Sequence, residues 1–125
     1  MTAGFAALRP GITEREVEAV IVETFKAHGN GVEFTSVCFG GNGAFPHHYS
    51  SDRALRPNDM ILIDIGGRKD GYPSDLTRVA TIGTPDPEFD RVHAVLERAV
   101  TAALAVAKPG VPAKAVDKAA RDVIS

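Results

Sequence analysis

The sequence has one cysteine, Cys38, which excludes an internal disulfide and fits a reducing compartment. Within an alternating strand pattern it reads as a small buried hydrophobe, not a nucleophile. Neither a Ser-His-Asp nor a Cys-His arrangement follows from the spacing. Long apolar runs are missing too: none approaches the ~18 residues of a membrane span. The opening residues, Met1 to Leu8, are too short and uncharged to be expected to act as a signal peptide. Charge of one sign is also absent. With 14 basic and 16 acidic residues mixed along the chain, the net charge is -2, leaving no basic stripe for nucleic acid and no acidic tail. The expectation is a soluble cytoplasmic protein with no nucleic-acid or membrane partner. Its 125 residues suffice for one domain with one core.

What is present is ordered by periodicity. Thr13-Glu-Arg-Glu16 has the form of a capping box, followed at helical spacing by Val17, Val20, Ile21 and Phe25. This predicts a helix from Thr13 to His28, stopped by Gly29 and Gly31; His28 then sits favourably at the helix C-terminus. Val32 to Phe39 alternates and predicts a strand. Gly40 to Pro46 is a glycine-rich loop, and without a following Lys-Ser/Thr pair and helix it is not a phosphate cradle. Arg56-Pro-Asn-Asp59 reads as a turn in which Asn58 can take the left-handed conformation. Asp86, with Pro87 behind it, predicts the start of a second helix reaching Ala107, with Phe89, Val92, Val95, Leu96, Ala99 and Ala103 as its buried stripe and His93 outside it.

Between these helices Ile61 to Arg78 predicts a β-hairpin reversing at Lys69-Asp70-Gly71. That reversal would set Asp64 and Asp75 roughly opposite each other, about 4.5 to 5.5 Å apart at Cβ. Like charges so placed repel, and the apolar run Met60-Ile-Leu-Ile-Asp-Ile around Asp64 adds a desolvation cost. A shared proton or a bound cation relieves both.

An internal repeat appears at an offset of 99 residues: Thr2 to Glu18 aligns with Thr101 to Asp117, matching Pro10-Gly11 to Pro109-Gly110, Val17 to Val116 and Glu18 to Asp117. It implies two similar halves, each built as helix, Pro-Gly turn, helix and sheet. A sheet follows the first copy, from Val32 to Ile82, and none follows the second before Ser125. The expected organisation is therefore a first half over residues 1–107 and the first helix of a second half over 108–125.

The run from Asn42 through Pro46-His-His-Tyr49 to Asp64-Ile-Gly-Gly67, followed by Asp70-Gly-Tyr-Pro-Ser-Asp-Leu-Thr-Arg78, resembles the first half of the catalytic domain of the pita-bread metallopeptidases. That family includes Xaa-Pro dipeptidase (prolidase), aminopeptidase P and methionine aminopeptidase; the Ser-Asp-Leu-Thr-Arg ending is nearer the first two. The resemblance covers nearly the whole chain. It implies an α+β fold, half of a pseudo-twofold domain, with an antiparallel sheet and flanking helices.

Carried over residue by residue, the resemblance implies that Asp64 and Asp75 are metal ligands, with Asp75 bridging two divalent ions, Mn or Co ahead of Zn or Fe. It makes His47 the catalytic histidine that stabilises the developing tetrahedral species. His48 is the alternative, a substrate-binding residue, because adjacent strand residues face opposite ways. Tyr72, Ser74, Thr77 and Arg78 are expected to support the ligands or the packing. The implied reaction is hydrolysis of an N-terminal peptide bond in a small peptide, typically Xaa-Pro. One further histidine and two glutamates would come from the second half, so this chain alone is expected to bind metal weakly. It is also expected to self-associate or to pair with a polypeptide carrying the complementary half. Two other uses stay open at this point: a non-catalytic module that binds peptides or proteins, and an aspartate pair that merely shares a proton or accepts hydrogen bonds.

Overall fold

Thr13 opens the first long helix as its pattern predicts. Its hydroxyl accepts from the Glu16 amide while the Glu16 carboxylate accepts from the Thr13 N–H at 2.7 Å. The chain, described over residues 1–125 by a computed structural model, divides into two compact units, Met1–Pro85 and Asp86–Ser125. The first holds α1 (Thr2–Ala6), α2 (Glu14–Ala27), β1 (Gly31–Phe39), a 3-10 turn over Gly40–Ala44, β2 (Met60–Lys69) and β3 (Tyr72–Thr81). The 3-10 turn replaces the open loop expected of the glycines.

The three strands form one antiparallel sheet in the order β1-β2-β3. Alternation then sorts the side chains. Ile61, Ile63 and Ile65 of β2, with Val37 and Phe39 of β1, turn towards α2 and bury against Val17 and Ile21; Ile12 and Leu55 complete this core. The opposite face carries Ser36, Cys38, Leu62, Asp64, Asp75 and Thr77. The α+β arrangement of an antiparallel sheet with flanking helices is thus the one observed.

Gly66 and Gly67 show why two glycines interrupt the centre of a strand. A Cβ on Gly66 would run into the Phe34 ring, and one on Gly67 would run into the ring of Phe25. Each glycine admits one aromatic ring, Phe34 over the aspartate face and Phe25 over the core face. The hairpin closes with Asp70 (φ 51°) and Gly71 (φ 85°), a two-residue turn of the type that matches strand twist.

The second unit is a helical hairpin of α3 (Pro87–Val106) and α4 (Ala113–Ile124), packed on each other. Asp86 caps α3 by accepting from the Glu88 amide at 2.8 Å, with Pro87 in the first turn as expected. Of the predicted α3 stripe, Ala99 is buried, but Val92 and Leu96 are exposed. Within its unit α3 has one partner helix, which covers a narrower band than the stripe spans. His93 is half-buried and stacks on Phe89 with ring centroids 5.7 Å apart. No helix is long and apolar enough to cross a membrane.

Candidate active site

The hairpin register corrects the expected placement of the aspartates. Because the turn has two residues, Asp64 pairs with Thr77 and Asp75 with Gly66. The carboxylates share a face but are diagonal neighbours, with a spacing near 7 to 8 Å instead of direct opposition. At that separation the mutual repulsion is weaker than in direct opposition. Asp64 is half-buried and Asp75 exposed. Thr77 donates to Asp64 Oδ1 at 2.7 Å, which orients the carboxylate and leaves Oδ2 for another partner. Ser74 also acts on the backbone, exchanging hydrogen bonds with Gly67 N and O at 3.2 Å, whereas Tyr72 is exposed.

Two clefts open on this face. One, of about 390 Å³, is lined by both aspartates, Phe34, both histidines and Tyr49. The other, of about 230 Å³, has Cys38, Phe45, Pro46 and Leu62 beside Asp64. His47, Ser36 and Asp64 border both. His47 is exposed and holds a left-handed backbone, φ 56°. His48 also lines the larger cleft, but its Nε2 lies 3.0 Å from Glu14 Oε2, so that nitrogen is already engaged.

Glu14 is the residue that sequence reasoning missed. It is fully buried, yet its carboxylate is saturated. Oε1 accepts from Phe39 N at 2.7 Å and Asn42 Nδ2 at 2.8 Å. Oε2 accepts from Ser51 N at 2.9 Å, Ser51 Oγ at 2.6 Å and the His48 ring. Burial pushes its pKa up, but the bonds from Ser51, His48, Asn42 and Phe39 outweigh it and hold the carboxyl below the usual range. In the sequence Glu14 looks like an acidic residue favoured in a helix's first turn, and nothing local to it signals a hub.

The loop beyond β1 is tied down by further bonds. Ser36 Oγ donates to His48 O at 2.7 Å, and buried Ser50 accepts from Val37 N at 3.1 Å. Arg53 forks onto Asp59 at 2.7 and 2.8 Å, which lowers the Asp59 pKa. Asn58 takes the left-handed conformation, φ 66°, as its turn requires. Burial pushes the Cys38 thiol up, consistent with a packing role.

As a donor set for cations, Asp64 and Asp75 supply hard oxygen atoms suited to divalent ions. No group of three or more His, Cys, Asp or Glu side chains is arranged to hold a metal. The pair therefore fits part of a metal centre.

Comparison with known proteins places these features. The model of metallopeptidase family M24 matches residues 1–125. The Mycobacterium tuberculosis protein "Probable dipeptidase PepE" is 47% identical over 120 residues, covering 94% of this chain and 32% of the relative. Among solved structures, the X-Pro aminopeptidase from Thermotoga maritima superposes with a TM-score of 0.89 at 38% identity, covering 97% of this chain and 35% of the other. The prolidase from Pyrococcus horikoshii gives 0.91 at 32% identity, with 98% and 36% covered. The chain thus spans about a third of the length of the relatives it matches. With that match spanning the whole of residues 1–125, the chain belongs to metallopeptidase family M24.

Proposed function

We propose that the chain contributes the first two ligands and the catalytic histidine of a prolidase-like metallopeptidase that hydrolyses the N-terminal peptide bond of small Xaa-Pro peptides in the cytoplasm. The observation that carries this reading is the grouping of Asp64, Asp75 and His47 around one cleft. Relatives described as a dipeptidase, a prolidase and an X-Pro aminopeptidase support the substrate class. Asp64 and Asp75 would hold divalent ions, with Mn or Co favoured over Zn or Fe. When bound, such ions lower the pKa of a water and polarise the scissile carbonyl. His47, exposed at the cleft rim, donates a hydrogen bond to the carbonyl oxygen as negative charge develops on it. Thr77 keeps Asp64 aligned.

Two aspartates are few ligands for two dications, so the activity depends on a complementary half supplying one histidine and two glutamates. Pairing with a polypeptide that carries this half would supply them, whereas self-association would cover the exposed strand edge and supply none of these ligands. A dedicated binding module gains nothing from keeping a carboxylate pair beside a histidine, which favours the enzymatic reading. The test measures Mn-dependent hydrolysis of an Xaa-Pro dipeptide by the chain alone and with the complementary half added. Activity is expected only in the mixture and is lost with Asp64→Asn or Asp75→Asn. Hydrolysis unaffected by both substitutions would refute the assignment, and sedimentation as a monomer at high micromolar concentration would remove self-association.

A further inference from the structure

We propose that Glu14 is the positioning residue of this site. It gathers both ends of the segment from Phe39 to Ser51 onto one buried carboxylate, so that His47 is held in its left-handed conformation with its imidazole at the aspartate cleft. The inference rests on the reading of Asp64, Asp75 and His47 given above and adds a residue remote from the reacting atoms.

Three observations carry it. The five donors to Glu14 come from the start of the segment, Phe39 and Asn42, and from its end, His48 and Ser51. One side chain thus joins both ends of the loop, alongside the bonds from Ser36 Oγ to His48 O and from Val37 N to Ser50 Oγ. His47 also adopts a backbone conformation that few residues with a Cβ take up, which persists only where its surroundings fix it. Its neighbour His48 is fixed twice, by Glu14 at the ring and by Ser36 at the carbonyl. This leaves His47 as the imidazole with no protein partner in the cleft.

The third observation comes from the repeat. Position 113, related to Glu14 by the 99-residue offset, is Ala113, and α4 begins there just as α2 begins at Glu14. The Pro-Gly corner and the helix after it therefore form without a carboxylate. Capping of α2 falls to Thr13 and Glu16. Helix and corner account for neither the identity nor the burial of Glu14; the loop carrying His47 accounts for both.

The experiment uses the 125-residue chain labelled for NMR, as wild type, Glu14→Gln and Ser51→Ala. Glutamine keeps the shape but cannot accept from the Phe39 and Ser51 amides together with all their companions. Order is read from the amide heteronuclear NOE at His47 and His48. Placement is read from Mn(II)-induced broadening of the His47 ring relative to the Thr77 amide, which sits beside Asp64. In Glu14→Gln the His47 amide should loosen to the level of Asp70 in the hairpin turn while the β2 amides stay rigid. Broadening of the His47 ring should fall several-fold while that of Thr77 persists. Ser51→Ala removes one donor and should shift both readouts the same way by less; it decides the matter if Glu14→Gln does not fold. A His47 amide as rigid as in wild type, with its ring equally broadened, would overturn the proposal. If Mn(II) broadens neither position in wild type, the metal assignment fails, and the amide order alone still decides the role of Glu14.

Discussion

The two Pro-Gly corners share one geometry in two settings. Arg9–Ile12 and Lys108–Val111 both close with a 3.1 Å hydrogen bond from the fourth amide to the first carbonyl, and Gly11 and Gly110 both have φ 86°. Proline at the second position and glycine at the third prescribe that turn locally. Beyond the turn they diverge. Ile12 is 3% exposed and is bridged to Leu55 by hydrogen bonds at 2.8 and 3.0 Å involving Ile12 O and Gly11 N, whereas Val111 is 37% exposed. Glu14 enters a buried network, and its counterpart Ala113 is exposed. Sequence-local chemistry shapes a corner, and distant residues decide whether it becomes part of a core and a site.

The largest expected break in the symmetry is at the fourth turn residue. Ile12→Ala should cost about 2 to 5 kcal/mol by loss of buried surface and a residual cavity, and Val111→Ala under about 1 kcal/mol. Urea titration followed residue by residue in each unit reads both. At the third position the corners should agree: Gly11→Ala and Gly110→Ala each cost about 1 to 2 kcal/mol. Beyond the two adjoining residues, no atom lies within 4 Å of the place a Cβ would take at either glycine, so only the backbone conformation is penalised. Unequal costs would show that the turn is not locally determined.

Helix starts separate the corners again, by less. Thr13→Ala removes the capping box and should cost about 1 kcal/mol. Pro112, which makes no side-chain cap, should be replaceable by alanine within about 0.5 kcal/mol. Acid sharpens the contrast further. The folded-state pKa of Glu14 lies below its unfolded value, so its contribution is complete above the ordinary glutamate range and is lost as pH falls through the folded pKa. The first unit should therefore weaken below that range, and Glu14→Gln should flatten this part of its acid denaturation profile. The corresponding profile of the second unit should be unchanged by the substitution.

Much of this was legible in the sequence for the same reason that the corners agree. The capping box at Thr13, the Asp86-Pro87 helix start, the left-handed Asn58 and the strand pair bearing Asp64 and Asp75 are all written in neighbouring residues. The hairpin register was not: one residue more or less in the turn moves every cross-strand partner, and Lys69-Asp70-Gly71 did not say which residues close it. Glu14 was illegible because its five donors lie 25 to 37 positions away. The exposure of Val92 and Leu96 escaped for a related reason, since a helical stripe states what can be buried and not what covers it.

The central claim is that Asp64 and Asp75 form the cation-binding part of this chain, and titration of Mn(II) into the labelled protein tests it most directly. The account predicts weak binding, with broadening centred on the amides of Asp64, Gly66, Asp75 and Thr77 and abolished in Asp64→Asn and Asp75→Asn. Broadening that survives both substitutions, or tight binding of two ions by the chain alone, would contradict it.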